Sequence, residues 1–146
     1  MIGLIQRVSQ ASVIVEYELI GEIETGILLL LGVEKDDSIE NAEKLLDKII
    51  NFRIFEDDNH KMNLSLLDTG ADLLIVPQFT LAANTQKGTR PSFASAAPPE
   101  LAKSLYEEFV ELANNKLNTI IATGEFGADM QVRLINSGPV TFWLQK

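Results

Sequence analysis

The stretch Gly26-Ile27-Leu28-Leu29-Leu30-Leu31-Gly32-Val33 constrains this chain more than any other. Its apolar run leaves no polar side for water, so a strand made from it has to be covered on both faces. The same run is far shorter than the roughly 20 residues that a membrane-crossing helix needs. Cover must therefore come from the rest of the chain. Residues 3–8 and 11–15, with Val13 and Val15 two apart, predict further strands, and Gly21 and Gly26 mark turns between them. After Lys35-Asp36-Asp37-Ser38, with Asp37 three residues before Glu40 in capping-box spacing, a helix is predicted. Ala42, Leu45, Leu46, Ile49 and Ile50 recur at its helical period.

Residues 54–56 and 62–66 flank the polar turn Asp57-Asp58-Asn59-His60 and predict a hairpin. Residues 71–76 repeat the doubly covered pattern and stop at Pro77. Residues 82–97 are poor in large apolar side chains and predict a long surface loop, a length that compact domains usually reserve for function. Pro98-Pro99 suits a helix start, and Leu101, Ala102, Leu105, Phe109, Leu112 and Ala113 supply its buried stripe. Residues 119–123, 129–135 and 140–145 predict three more strands. The expected fold is α+β, a largely antiparallel sheet or partial β-barrel covered by two helices, with residues 1–146 as a single domain.

Composition removes whole classes of chemistry. Without cysteine there is no disulfide framework, thiolate metal site or cysteine nucleophile. The one imidazole, His60, sits in a predicted polar turn, where a solvated side chain is expected rather than a triad base or zinc ligand. Neither a Gly-Lys-Ser/Thr phosphate loop nor a Gly-x-Gly-x-x-Gly fingerprint is present, so nucleotide binding loses its sequence support. The start of the chain has no long apolar core of a secretory leader, and a cytoplasmic protein without a membrane partner is expected. A formal charge of −9 disfavours a broadly basic nucleic-acid surface. It leaves room for a local patch, because phosphate contact needs only a few Lys or Arg in one place. An enzyme built from this chain would rely on positioned backbone groups, hydroxyls and amides, or on a group of the substrate, and no cofactor or metal is expected.

Three segments combine polar, conformationally special residues with strand ends. In Pro77-Gln78-Phe79-Thr80-Leu81 the proline can end ladder pairing and free the next amides to face a pocket, and Gln78 and Thr80 share one face if the segment stays extended. A plain strand exit accounts for the same residues. Asn136-Ser137-Gly138-Pro139-Val140-Thr141 carries a Gly-Pro bond open to the cis form, or an ordinary hairpin turn. The long loop concentrates Lys87 and Arg90, with Lys103 beyond. Its Gly88-Thr89-Arg90-Pro91-Ser92-Phe93 suits contact with a phosphate or a base, or solvation alone.

Together with Gln6-Arg7-Val8, Ala11-Ser12-Val13, Gly32-Val33-Glu34, Arg53-Ile54-Phe55, Lys61-Met62-Asn63-Leu64-Ser65 and Gly127-Ala128-Asp129-Met130-Gln131-Val132, these segments resemble the D-aminoacyl-tRNA deacylase family, also called D-tyrosyl-tRNA deacylase, along essentially the whole chain. The resemblance implies a cytosolic homodimer that binds aminoacyl-tRNA. It would hydrolyse the ester to a D-amino acid, or to mischarged glycine, in translation quality control. It implies that Gln78, Phe79 and Thr80 line the pocket, with Thr80 as nucleophile or as a helper of hydrolysis assisted by the ribose 2′-hydroxyl. Gly138-Pro139, cis, would enter the partner subunit's pocket and exclude L-amino acids with its carbonyl oxygens. Arg7 would brace that loop, and Phe126 and Met130 would stand near the pocket. Lys87 and Arg90 are the candidate tRNA contacts.

Two departures qualify the match. Pro77 replaces a Ser common in the family, which motivates the alternative of an editing hydrolase with relaxed or altered chirality. Tyr17-Glu18-Leu19 replaces a glycine-containing turn. A non-catalytic RNA- or protein-binding module on the same scaffold is the alternative from a different class.

Overall fold

A computed structural model describes residues 1–146. Its spine is β1 (Ile2–Val15), the first strand of a six-stranded sheet. Residues 3–8 and 11–15, expected as separate strands, are the two halves of β1. Exposed Ser9 and Gln10 interrupt the apolar pattern where its register with a neighbour shifts. That neighbour is β8 (Met130–Gln145), antiparallel along the whole of one edge. The other edge is shared by β3 (Gly26–Gly32), paired with residues 2–8, and by β2 (Glu18–Ile23), paired with residues 11–15. Glu16 and Tyr17, both at positive φ, form the two-residue turn between β1 and β2.

Beyond β3 the sheet continues through β6 (Asp72–Pro77) and β7 (Ile121–Thr123), and these pairings are parallel. The ends of the path then approach each other. A Cβ on Gly21 of β2 would lie 2.7 Å from the Thr123 carbonyl oxygen of β7. Gly21 is thus a close-approach residue inside a strand rather than a turn residue, and the sheet curls into a nearly closed barrel.

This curl explains the opening apolar run. Leu28 faces inward with Val8, Ala11, Val13, Ile23, Leu74 and Val76. Ile27, Leu29 and Leu31 face outward into a second, larger core. That outer core is closed by α1 (Ile39–Ile50) and α3 (Pro99–Lys116), through Leu45, Leu46, Ile49, Leu105 and Phe109.

The α1 start differs from the expected Asp37/Glu40 box. The Ser38 amide and hydroxyl donate to Asn41 Oδ1 at 3.0 and 2.8 Å, while Asp37 turns back to accept the Glu34 amide at 2.7 Å. The predicted hairpin is short, β4 (Phe55–Glu56) with β5 (Met62–Leu64). A third helix, α2 (Leu66–Thr69), follows because Ser65 and Asp68 cap it reciprocally before Gly70 takes a left-handed conformation.

Residues 129–135 and 140–145, expected as two strands, belong to the single β8. It passes through a cis Gly138-Pro139 peptide with Gly138 at φ +135°. Asn136 spans this detour, accepting from the Val140 amide at 2.8 Å and donating to Thr141 Oγ1 at 3.0 Å. No helix is long and apolar enough to cross a membrane.

Candidate functional site

β6 leaves the sheet at Pro77, which has no amide hydrogen to continue a ladder. The Gln78 amide makes one last bond, to the Leu31 carbonyl at 2.8 Å, before the chain tightens into the 3-10 turn Phe79–Ala82. That turn leaves the Phe79 and Thr80 amides without intrahelical partners. Gln78 Nε2 donates to Thr80 Oγ1 at 2.5 Å. The two side chains therefore meet across a turn, not along one face of an extended segment.

Beside the turn lies a cavity of about 490 Å³. One wall is Val76, Pro77, Gln78 and Phe79, and the facing wall includes Phe126, Ala128 and Met130. Pro99 and Ala102 from the first turns of α3 add to the lining. No charged side chain lines the cavity. Thr80 is exposed and outside the lining, so its hydroxyl serves the rim.

The long loop is tied at its base. Asn84 and Ser92 exchange two backbone bonds at 2.8 and 3.0 Å, and the Lys35 and Ala97 amides donate to Ser95 and Val33 carbonyls at 3.0 Å each. This brings the Phe93 ring to 5.1 Å from that of Phe79, both rings partly open to solvent. Lys87 and Arg90 lie exposed toward the loop's tip, while Lys103 pairs with Glu107 on α3 at 3.8 Å.

The facing wall begins where β7 ends. The Gly124 amide donates to the Ile75 carbonyl at 2.8 Å, and the buried Tyr106 hydroxyl lies 3.1 Å from that oxygen and 3.0 Å from the Gly124 carbonyl oxygen. Burial pushes the phenol up to about 12, so it stays a neutral donor throughout the working range. Its ring sits 6.0 Å from Phe126. Tyr106 is absent from the expected α3 stripe, although its helical spacing from Ala102, Phe109 and Ala113 marks it as inward-facing.

Arg7 is buried at 9% exposure. Its Nε donates to the Ser137 carbonyl and its Nη1 to the Ile54 carbonyl, both at 3.0 Å, and its Nη2 pairs with Glu56 Oε1 at 3.2 Å. The guanidinium thereby fixes the backbone next to Gly138. Gly138 and Pro139 are exposed and do not line the cavity of their own chain. The structure thus brings Gln78, Phe79, Phe126 and Met130 together, places Thr80 at the rim, and gathers Arg7, Gly138 and Pro139 elsewhere. His60 is almost fully exposed, with Nδ1 3.4 Å from Glu56. No group of three or more His, Asp or Glu side chains is arranged to hold a metal ion.

A curled mixed sheet flanked by helices, with an apolar cleft that no charged side chain lines, defines a small α+β barrel-like protein. Within that class, the chain belongs to the D-Tyr-tRNA(Tyr) deacylase family, whose model matches residues 4–145. It is 60% identical over 144 residues to a D-aminoacyl-tRNA deacylase of Haemophilus influenzae, covering 99% of both chains. It is 62% identical over 142 residues to one of Pseudoalteromonas translucida, covering 97% of each. The solved structure of a protein called c-Myc DNA Unwinding Element Binding Protein is similar at 40% identity and a TM-score of 0.96, over 100% of this chain and 99% of that one. A probable eukaryotic D-amino acid tRNA deacylase shares the fold at 17% identity and a TM-score of 0.83, over 99% and 98%.

Proposed function

We propose that this protein is a hydrolase that cleaves the ester of D-aminoacyl-tRNA, and of mischarged glycyl-tRNA, releasing free tRNA in the cytoplasm. The observation that carries the reading is the apolar cleft between residues 76–79 and 126–130, which in a chain of this family is the place we give to aminoacyl ester chemistry. An aminoacyl ester needs less activation than an amide. Backbone donors at its carbonyl and an adjacent ribose hydroxyl suffice for water attack without imidazole. An apolar cavity free of charge accepts many side chains, with the amino and carbonyl groups held at the rim.

Thr80 acts here as a positioner. Its hydroxyl bonds the Gln78 amide, which cannot take up a proton, so nothing beside it activates a nucleophile. Thr80→Ala is expected to lower kcat/KM about fivefold, the effect of one lost hydrogen bond of ~1 kcal/mol. A loss of roughly a thousandfold or more in single-turnover assays would instead make Thr80 the nucleophile.

Selectivity is assigned to Gly138-Pro139 of a partner subunit in a homodimer of single-domain chains. Both residues are exposed and outside the lining of their own cavity, and rigid backbone carbonyls reject one enantiomer by clash. Lys87 and Arg90 would meet the tRNA backbone beside the Phe79–Phe93 pair.

The test is hydrolysis of D-Tyr-tRNA and L-Tyr-tRNA by purified protein with chelator present. The D-ester is expected to disappear roughly a hundredfold faster. Comparable rates on both would make Pro77 the seat of an altered chirality, and no turnover of either would favour the binding-module reading.

A further inference from the structure

No Asp or Glu occurs between Asp72 and Glu100, the longest such interval in a chain with 21 acidic residues. The interval supplies one wall of the cavity and the whole of the long loop, and its two cations, Lys87 and Arg90, are exposed. The opposite side differs. Ala128 of the facing wall also lines a hollow shared with Glu16, Glu18, Glu125 and Asp129. A polyanion arriving at the cleft is therefore drawn toward the loop and repelled from the acidic hollow.

Phe79 and Phe93 belong to the same acid-free side. Their rings stand 5.1 Å apart at 44°, and the two residues stay 60% and 41% exposed. Phe93 is held in place by its surroundings. It follows directly on the Asn84–Ser92 backbone bonds, its carbonyl accepts the Ala96 amide at 3.0 Å, and the Ser95 hydroxyl donates to the Ala82 carbonyl. A fixed aromatic face beside cations suits an unstacked base and its phosphates, whereas a base inside a duplex already has both faces covered. Phe93 lies outside the lining of the cavity, so a base on it is not the one whose ester enters the cleft.

We propose that Phe93, steadied by Phe79, is a stacking platform for an unpaired base on the 5′ side of the ester-bearing nucleotide, and that Lys87 and Arg90 hold the adjoining phosphates. The inference rests on aminoacyl-tRNA being the substrate, as given above. It adds that the protein grips the single-stranded end of the RNA rather than its duplex stem. Arg90 is three residues from Phe93, at most about 10 Å of chain, so a phosphate on its guanidinium adjoins a base on that ring. Such a platform carries no base code, because every base has a π-face, and one site can receive tRNAs of different sequence.

Phe93→Leu keeps an apolar contact with Phe79 and removes the π-face, and Phe93→Tyr restores the face. Phe93→Leu is expected to raise KM for D-Tyr-tRNA roughly tenfold with kcat within about twofold of the parent, while Phe93→Tyr stays near the parent. A fall in kcat at unchanged KM, or equal losses in both variants, would make the ring a packing element of the rim and overturn the proposal. Fluorescence anisotropy with a short 5′-labelled single-stranded RNA separates the platform from the hydrolase reading. If the parent cleaves neither D- nor L-Tyr-tRNA, that reading falls, yet roughly tenfold weaker binding of the strand by Phe93→Leu would still establish the platform. The slope of log K against log salt is expected near about −1.4 for two phosphates of a single strand, and about 0.7 shallower in Arg90→Gln. Equal or absent binding in parent and Phe93→Leu overturns the proposal, as does a blunt RNA duplex held as tightly as the single strand. A partner subunit is the competing occupant of the rings, and loss of a dimer in Phe93→Leu at unchanged RNA affinity would assign them to it instead.

Discussion

Arg7→Ala is expected to destabilise the protein by about 2–4 kcal/mol and to cut the ratio of D-ester to L-ester hydrolysis by roughly tenfold. Both effects come from one guanidinium. Its three bonds join the Ile54 carbonyl, the Glu56 carboxylate and the Ser137 carbonyl, and truncation leaves two backbone oxygens without these charge-assisted partners. Glu56 is 44% exposed and rehydrates easily, so the carbonyls dominate the cost. Freed at Ser137, the Gly138-Pro139 segment would lose the fixed position that exclusion by clash requires. Arg7→Lys is the informative companion. A single ammonium cannot reproduce a planar fork spread over three directions, so most of the loss should remain. Urea unfolding gives the stability change, and paired D- and L-Tyr-tRNA assays give the selectivity. Full D-selectivity in a destabilised Arg7→Ala would separate Arg7 from the chiral filter.

Gly32→Ala is expected to reduce kcat/KM on D-Tyr-tRNA by roughly 10- to 100-fold while the protein remains folded. The added Cβ would stand 2.9 Å from Leu81 Cβ and 3.2 Å from the Gln78 carbonyl oxygen. Both belong to the segment that shapes the rim, and β3 is held by neighbours on both edges, so the 3-10 turn is what moves. A displacement of a few tenths of an ångström there shifts the Phe79 and Thr80 amides together with the Gln78–Thr80 bond. Activity close to the parent's would mean that the rim tolerates movement and that its donors do not act on the reacting ester.

Much of this architecture is legible from side-chain periodicity alone. The doubly buried β3 follows from an unbroken apolar run, and the stripe of α1 and the proline-started α3 follow from spacing, because burial on one face imposes a repeat. The polar segments at residues 77–81 and 136–141 stand out because proline and glycine perturb a ladder wherever they fall. What escapes depends on partners far along the chain. β2 is largely exposed and shows no alternation, so its Gly21 looks like a turn until β7 is found against it. Gly138-Pro139 looks like a turn between two strands, yet β1 pairs with residues on both sides of it and carries β8 through. The cavity joins residues 76–79 to 126–130 through parallel strands separated by α3, a juxtaposition that no local pattern encodes. Tyr106 belongs to the same category: its ring follows the helix period, but the reason for its hydroxyl exists only where β6 and β7 end.

The pairing of β1 with β8 bears on how the molecule assembles. Even the closest pair in that ladder, Val15 with Met130, joins positions separated by most of the chain. Closing so large a loop costs entropy before any contact repays it, and topologies dominated by such contacts fold slowly. During synthesis β1 leaves the ribosome well before β8 and waits, one edge unpaired, until that strand follows. Through that interval the spine of the future barrel is an open template for other chains, and β8 is the strand that covers the exposed edge.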